Sequence, residues 1–299
     1  MSIIIHSHTR ILVQGATGKE GRFWVKHMID YGTKVVAGVT PGKEGELVEN
    51  IPVYHTVRRA MDHHPVDASL LFVPPRFAMG AIFEALDAGI KTIVVTADGI
   101  PLHEQVQIRR AAKSVGATVI GGNTTGIIST GKSMMGFFPF WLERVYKPGR
   151  IGIMTRSGSL TNEITAQIVK AGFGSTSIVG VGGDAVPFTR FAELLPLFQE
   201  DPNTAAVVMI GEVGGTMEEE VAESMKNGLF TKPLIAVMGG RTAPKGTKMG
   251  HAGAIITAGK GTVDDKIQAL TQAGALVADR PSMVGTLLQR KLGSPCVSL

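Results

Sequence analysis

A histidine near the end of the chain has the surroundings expected of a nucleophile. His251 lies in the segment Lys248-Met249-Gly250-His251-Ala252-Gly253-Ala254, where small neighbours leave the imidazole unshielded. A neutral imidazole attacks phosphorus readily near neutral pH. An isolated histidine in a glycine loop is more often structural than catalytic. Whether His251 is a nucleophile therefore depends on the elements that position it.

Short apolar runs alternate with segments of helical periodicity, a pattern that predicts parallel sheets with crossover helices. In the first half we expect strands at 10–14, 34–38, 68–73, 91–96 and 117–120, and helices at 21–31, 76–88 and 103–115. After a less regular stretch at 129–147, we expect strands at 151–155, 177–181, 205–210, 234–238 and 276–278, and helices at 160–171, 188–199, 218–227, 263–273 and 281–291. The chain of 299 residues is long enough for two domains, and Pro148 marks the restart, so we place domains at 1–147 and 148–299.

Polar glycine loops follow four of the strands expected in the second half. They occupy residues 156–159, 180–184, 211–215 and 239–241. The carboxyl ends of parallel strands form the binding crevice of an open α/β sheet. We therefore expect these loops to line one crevice.

The first glycine loop predicts a phosphate-bearing ligand. Its sequence, Gln14-Gly15-Ala16-Thr17-Gly18-Lys19-Glu20-Gly21, follows the first strand and opens a helix, whose N-terminus attracts phosphate. Nicotinamide binders usually place an acid at the end of the second strand, yet segment 36–43 contains none and ends in Lys43. A coenzyme A nucleotide fits better, and an NAD(P)-dependent reductase remains the alternative.

Composition excludes several classes of partner. The net charge is +5, but no basic run is interleaved with aromatic residues, so we expect anionic metabolites and no nucleic acid. The single cysteine, Cys296, forms neither an internal disulfide nor a cysteine metal site, so we expect a reducing, cytoplasmic compartment and no metal. No apolar stretch approaches the roughly 18 residues of a membrane span, so we expect no membrane association.

Eight motifs carry a resemblance to a known family. They are Gly15-x-x-Gly18-x-x-Gly21, Gly38-Val39-Thr40-Pro41-Gly42-Lys43, Gly99-Ile100-Pro101, Arg156-Ser157-Gly158, Gly180-Val181-Gly182-Gly183-Asp184, Gly211-Glu212-Val213-Gly214-Gly215, Thr242-Ala243-Pro244-Lys245-Gly246 and Gly250-His251-Ala252-Gly253-Ala254. In this order and spacing, over roughly residues 3–292, the chain resembles the alpha subunit of succinyl-CoA synthetase and related ADP- or GDP-forming acyl-CoA ligases. The resemblance implies a Rossmann-like CoA-binding domain followed by a flavodoxin-like parallel α/β domain.

The resemblance also implies the catalytic groups. His251 matches the histidine that carries phosphate from a nucleoside triphosphate to a carboxylate, before the CoA thiol attacks the acyl phosphate. Glu212 matches its acidic partner, and a carboxylate there would fix the tautomer of the ring. The helix after Ser157, Gly158 and Ser159 would direct its N-terminus at the phosphoryl group. Arg156 either holds the substrate carboxylate or forms only a salt bridge.

Several residues match the family's CoA-binding positions. The implied phosphate contacts are Thr17, Gly18 and Lys19. The implied contacts along the nucleotide, and along its adenine or pantetheine side, are Pro41, Lys43, Val73, Pro74 and Thr96. The alternative for Lys43 is an ordinary surface lysine.

One segment departs from the family pattern. Where the family commonly has G-P-N-C-P-G-I, this chain has Gly121-Gly122-Asn123-Thr124-Thr125-Gly126-Ile127, and a bulky run, Phe137-Phe138-Pro139-Phe140-Trp141, follows. Asn123, Thr124 and Thr125 join Arg156 as candidate contacts of the acid. The acid is expected to be a small di- or tricarboxylate, succinate or a relative, and our hypothesis is that it is not succinate. The alternative is that these substitutions have no effect on the substrate and reflect sequence drift in a structural loop.

A partner chain is expected because this sequence has no room for the ATP-grasp domain, which the family places on a separate beta subunit. ATP or GTP with magnesium would bind there, in a heterodimer or heterotetramer. A non-catalytic CoA-binding protein is a further alternative, but the presence of both His251 and Glu212 argues against it.

Overall fold

The computed structural model describes residues 3–142, 144–241, 250–256 and 261–294. Cys296 and the motif at 242–246 lie outside the described residues. The chain divides into two compact units. The first contains Ile4–Phe138 with Val186–Thr189, and the second contains Pro139–Ala185 and Arg190–Leu299 with Met1–Ile3. The domain boundary near Pro148 stays a prediction.

The first unit is built on a sheet with helices at its connections. Its strands are β1 (Arg10–Gln14), β2 (Lys34–Val39), β3 (Leu47–Val48), β4 (Ile51–Tyr54), β5 (Ala68–Leu71), β6 (Thr92–Val95), β7 (Thr118–Gly121), β8 (Gly126–Ser129) and β9 (Ser133–Gly136). Its helices are α1 (Lys19–Asp30), α2 (Val57–His63), α3 (Pro75–Asp87) and α4 (Leu102–Ser114). The sheet order is β3-β4-β2-β1-β5-β6-β7, with only β3 antiparallel. Because the chain order reverses beside β1, the loop after β1 lies at the edge where such sheets bind ligands.

The second unit has five parallel strands in the order β14-β13-β12-β10-β11. They are β10 (Pro148–Thr155), β11 (Ser175–Gly180), β12 (Ala206–Glu212), β13 (Leu234–Gly239) and β14 (Leu276–Ala278). The helices are α5 (Gly158–Lys170), α6 (Phe191–Glu200), α7 (Met217–Lys226), α8 (Val263–Gln272) and α9 (Val284–Leu292), the last preceded by a 3₁₀ turn at Pro281–Met283. Here the order reverses at β10, which pairs with β11 and β12.

Local sequence explains these elements. All seven residues of β12 are buried, as their near-continuous apolar sequence demands of a strand covered on both faces. The Thr262 hydroxyl caps α8 by accepting the Asp265 N–H at 3.2 Å, and Asp264 adds negative charge where the helix dipole favours it. The α/β fold class expected from sequence is confirmed, with strand and helix ends shifted by a few residues.

Three expectations were wrong in detail. The stretch at 129–147 is not wholly irregular, because β9 pairs with β8 as an antiparallel hairpin. The β3–β4 hairpin and α2 were not expected at all. The helix expected from residue 188 begins at Phe191, because Phe188 packs in the core of the first unit and its N–H donates to the Gly121 carbonyl at 3.0 Å.

Within the described ranges, no helix is long and apolar enough to cross a membrane. The same part of the chain holds no cluster of three or more His, Cys, Asp or Glu side chains suited to a metal ion.

Candidate active site

His251 and Glu212 meet at the carboxyl edge of the second sheet. Glu212 ends β12, and both of its carboxylate oxygens lie 3.0 Å from His251 Nδ1. The carboxylate is largely buried, with 10% of its side chain exposed, against 27% for His251. A carboxylate that accepts the Nδ1–H leaves the lone pair on Nε2 and stabilises positive charge on the ring. This pair therefore orients an imidazole for nucleophilic attack through Nε2.

Close packing against glycine fixes the ring in place. A Cβ added at Gly183, in the loop after β11, would overlap the His251 imidazole. A Cβ at Gly253 would lie 2.7 Å from Arg156 Nη2 and 2.8 Å from the Asp184 carbonyl oxygen. The sequence suggested that small neighbours keep the ring open to solvent. In the structure, glycine also lets backbone approach the ring and the guanidinium.

Arg156 stands beside Glu212 and is almost fully buried. Its Nε lies 3.2 Å from Glu212 Oε1, and its Nη1 donates to the Gly214 carbonyl at 2.9 Å. Of the two roles left open by the sequence, the structure contains the salt bridge. Contact with the substrate acid stays a prediction.

The loop after β10 shapes the start of α5. Ser157 is the N-cap, and its hydroxyl accepts the Leu160 N–H at 3.4 Å and lies 3.4 Å from the Ser159 hydroxyl. Gly158 and Ser159 open the helix, and its first turn contains no acidic residue. Since β10 and β12 are parallel neighbours, this helix N-terminus and Glu212 lie at the same edge of the sheet. An anion is stabilised at such a helix start.

The sequence did not predict a second ion pair, which is completely buried. Lys266 of α8 and Glu218 of α7 are both 0% exposed, and Lys266 Nζ donates to Glu218 Oε2. Lys266 also donates to Glu219 Oε2 at 2.9 Å and to the Gly215 carbonyl at 3.0 Å. One signal was present in the sequence: Lys266 shares the buried face of α8 with Val263 and Leu270.

The first unit contains a cavity of about 550 Å³ beside the glycine loop. Its lining residues are Gln14, Gly15, Thr17, Gly18, Val39, Thr40, Pro41, Phe72, Val73, Pro74, Phe77, Ala81 and Glu84. The expected contacts Thr17, Gly18, Pro41, Val73 and Pro74 are thus brought together, while Phe72 and Phe77 were missed.

Three expected CoA contacts do not line this cavity. Lys19 begins α1. Lys43 Nζ pairs with Glu46 at 2.9 Å, and the Thr96 hydroxyl donates to the Leu71 carbonyl at 2.8 Å. Their roles in ligand binding stay predictions.

The glycine loop is tight enough to present backbone to a phosphate. Gly15 has a φ of +77°, and a Cβ there would overlap the Phe72 carbonyl. A Cβ at Gly21 would lie 2.7 Å from the Ala16 carbonyl oxygen. Gly18 caps α1 without a side chain, so the first amides of the helix face outward. An anion-binding helix start beside apolar walls suits the phosphates and the apolar arm of CoA.

Comparison with known proteins finds a family model in each half of the chain. A CoA binding domain model matches residues 6–99, and a CoA-ligase model matches residues 154–276. The ADP-forming succinate–CoA ligase subunit alpha 1 of Archaeoglobus fulgidus is 47% identical over 93% of this chain and 94% of its own length. The chain belongs to the CoA-ligase family.

Two further relatives refine this assignment. The ADP-forming sulfoacetate–CoA ligase subunit of Bilophila wadsworthia is 66% identical over 98% of this CoA ligase and 100% of its own length. ATP citrate lyase from Methanothrix soehngenii, solved with citrate and coenzyme A, superposes with a TM-score of 0.88 at 25% identity. That match covers 96% of this chain, which spans only 50% of the lyase chain.

Family membership decides between the alternatives left open by the sequence. The chain is a CoA ligase with a CoA-binding domain, so the ligase interpretation takes the place of the reductase alternative. The ligases that it resembles are named as subunits, so a partner subunit is implied.

The segment that departs from the family pattern follows β7 in the first unit. Asn123 has a φ of +54°, and its N–H donates to the Ala97 carbonyl at 2.7 Å. The Thr124 hydroxyl is buried and accepts the Gly126 N–H at 2.9 Å, while Thr125 is half-buried. Thr124 therefore has a structural bond of its own. Substrate contact by these three residues stays a prediction.

The aromatic run after this segment supports the cavity. The Phe137 ring packs 5.4 Å from Trp24 of α1 and 5.3 Å from Phe72, measured between centroids. Because Phe72 lines the cavity, Phe137 buttresses its wall rather than lining it.

In this CoA ligase, Gly15→Ala is expected to weaken CoA binding by at least about tenfold. The added methyl overlaps the Phe72 carbonyl in a left-handed backbone conformation, and such strain costs about 1–3 kcal/mol of stability. Calorimetric CoA titration and thermal unfolding measure the two effects.

Gly89→Ala is the matched control. Gly89 has a φ of +93°, but a Cβ there meets nothing within 4 Å. It is expected to lose about 1–3 kcal/mol of stability to the same left-handed strain but to bind CoA normally. Normal CoA affinity in Gly15→Ala would argue against the glycine loop as the phosphate site.

Proposed function

We propose that this chain is the phosphohistidine-carrying subunit of an ADP-forming ligase that joins sulfoacetate to CoA. The observation that carries the proposal is the placement of His251 Nδ1 at 3.0 Å from both oxygens of Glu212. Sulfoacetate is proposed because two sulfoacetate–CoA ligase subunits are 66% and 65% identical to this chain, against 47% for a succinate–CoA ligase subunit.

The reaction divides into three displacements. His251 Nε2 attacks the terminal phosphorus of ATP, the bond to the bridging oxygen breaks, and ADP leaves. An oxygen of the substrate carboxylate then attacks that phosphorus, and the electron pair of the P–N bond returns to Nε2. Finally the CoA thiol loses its proton to solvent, its sulfur bonds to the acyl carbon, and the bond from that carbon to the phosphate oxygen breaks. Inorganic phosphate leaves with the oxygen of the former carboxylate. The phosphoryl group supplies the leaving group that a carboxylate lacks.

The residues of this chain serve these steps in distinct ways. Glu212 holds the Nδ1 proton and stabilises the imidazolium character that develops as Nε2 bonds to phosphorus. The N-terminus of α5, at Gly158 and Ser159, provides amide donors and a positive dipole end for the phosphoryl oxygens. The Ser159 hydroxyl is a further proposed donor.

Sulfoacetate presents a sulfonate with three acceptor oxygens in addition to its carboxylate. Hydroxyl and amide donors suit such a group better than the proline and cysteine common in the family. We propose Asn123 and Thr125 as sulfonate contacts, because these two side chains are half-buried whereas Thr124 is buried. The substitutions in this segment would then distinguish sulfoacetate from succinate.

A beta subunit with an ATP-grasp domain is proposed as the partner that binds ATP and magnesium. This chain purified alone is expected to bind CoA but to show little ligase turnover. Full turnover without a partner would overturn this part of the proposal.

An acid panel tests the substrate. The co-purified complex receives ATP, magnesium, CoA and, in separate reactions, sulfoacetate, succinate, malate, citrate or itaconate. We expect kcat/KM for sulfoacetate to exceed that for succinate by at least about tenfold, because donors arranged for the three oxygens of a sulfonate are paired less completely by the planar, two-oxygen carboxylate of succinate. A preference for succinate would contradict the assignment of sulfoacetate, while leaving the ligase chemistry in place.

A further inference from the structure

Four charged side chains of alternating sign form a chain of contacts that starts at Glu212, the partner of His251. We call Glu212, Arg156, Glu218 and Lys266 the buried charge network. The side chains of Arg156, Glu218 and Lys266 are 2%, 0% and 0% exposed. Buried ionic groups are costly and are stable only when each has partners. Glu212 contacts His251 directly, and the burial of the other three charges needs a separate explanation.

Arg156 lies within 4 Å of two carboxylates, those of Glu212 and Glu218. Its Nε lies 3.2 Å from Glu212 Oε1, yet within the described ranges it has no partner that meets hydrogen-bond geometry. Its directed bond runs from Nη1 to the Gly214 carbonyl, and the same nitrogen lies 3.8 Å from Glu218 Oε1. A guanidinium beside a carboxylate normally forms a directed, often bidentate pair. Here Arg156 is held short of that arrangement.

Glu218 restrains Glu212 in two ways. Its Oε1 accepts the backbone N–H of Glu212 at 3.1 Å, which fixes the end of β12. Its negative charge also attracts Arg156, whose Nη1 lies 3.8 Å from Glu218 Oε1. Lys266 anchors Glu218 through the second oxygen, Oε2. Glu218 thus contacts both the backbone of Glu212 and the cation that competes for its carboxylate.

We propose that Glu218, anchored by Lys266, is a positioning residue that keeps Arg156 from drawing the Glu212 carboxylate away from His251. If Arg156 formed a bidentate salt bridge with Glu212, the two carboxylate oxygens would no longer both lie 3.0 Å from His251 Nδ1. The imidazole would then lose its fixed tautomer, and Nε2 would no longer be reliably the nucleophile. This inference rests on the proposed phosphoryl-carrier role of His251.

Glu218→Gln removes the charge but keeps an oxygen for the Glu212 N–H. In the co-purified complex with ATP and magnesium, we expect the rate of His251 phosphorylation to fall by at least about tenfold, as for other outer partners of catalytic groups. Nitrogen NMR of histidine-labelled protein is expected to show loss of the single Nδ1–H tautomer. CoA affinity, which belongs to the first unit, is expected to stay unchanged.

The double variant Lys266→Met/Glu218→Gln separates positioning from stability. Replacing both members of a buried pair usually restores the stability that is lost when one is removed. We expect its thermal stability to recover above that of Glu218→Gln, while phosphorylation stays at least about tenfold slow. Recovery of the phosphorylation rate together with stability would overturn the proposal, because Glu218 would then be merely structural.

Glu219→Gln is the matched control. Glu219 is the next residue of α7 and also accepts from Lys266, but no ion pair joins it to Arg156 in the described part of the chain. In Glu219→Gln, His251 is expected to be phosphorylated at close to the rate of the unsubstituted protein. A decrease in rate equal to that of Glu218→Gln would overturn the proposal. Absence of phosphate on the unmodified complex would refute the phosphoryl-carrier role itself. The tautomer measurement would still test positioning in that case.

Discussion

His251→Asn is expected to abolish phosphorylation of the chain and to lower ligase turnover by at least about 10⁴-fold, as loss of a nucleophile does in other enzymes. Asparagine approximates the side of the ring that faces Glu212 but has no nitrogen equivalent to Nε2. Intact mass after incubation of the complex with ATP and magnesium measures the phosphate adduct, and coupled release of ADP measures turnover.

His103→Asn is the control for this experiment. His103 is exposed on α4 of the first unit and is outside both candidate sites. The adduct and the turnover are expected to persist in this variant. A phosphate adduct that survives in His251→Asn would place the carrier elsewhere and refute the proposed mechanism.

Gly183→Ala is expected to slow His251 phosphorylation by about 100-fold, the cost of displacing a reacting group by about 1 Å. The new methyl would overlap the imidazole and push it away from Glu212. The backbone at Gly183 is outside the left-handed region, so alanine adds no conformational strain. The fold should survive, and stopped-time intact mass measures the phosphorylation rate.

Gly80→Ala provides the comparison, since a Cβ there meets nothing within 4 Å and Gly80 lies within α3. It is expected to keep the unmodified phosphorylation rate and to gain up to about 1 kcal/mol of stability from improved helix propensity. If Gly183→Ala behaved like Gly80→Ala, the close packing of the ring would have no functional importance.

The sequence predicted the fold well where long apolar runs alternate with helices, as at β12 and α5. It failed where strands are short and lack that pattern. Both strands of the β8–β9 hairpin are buried at every position, and Gly126 and Gly136 face each other so closely that a Cβ on either would meet the other's backbone at 3.0 Å. Such packing depends on tertiary contact and leaves little local periodicity.

The pairing of His251 with Glu212 was predictable because both lie in recognisable motifs, and the structure brings them within hydrogen-bonding distance. Their catalytic role is proposed. The buried charge network was not predicted. Glu218 lies beside Glu219 and Glu220 in the first turn of α7, where acidic residues ordinarily complement the helix dipole in solvent. Tertiary structure places two of the three, Glu218 and Glu219, against a buried lysine, and of these Glu218 is the one that is fully buried.

The contact of Glu212 with one nitrogen of the ring also dictates regiochemistry. With Nδ1 in contact with the carboxylate, the proposed phosphoryl group on His251 is expected to be bonded to Nε2, giving the tele rather than the pros isomer. Antibodies selective for the tele isomer could therefore measure the phosphorylated fraction of this subunit in cell extracts. Glu212 would in this way determine which phosphohistidine isomer forms, in addition to orienting the imidazole.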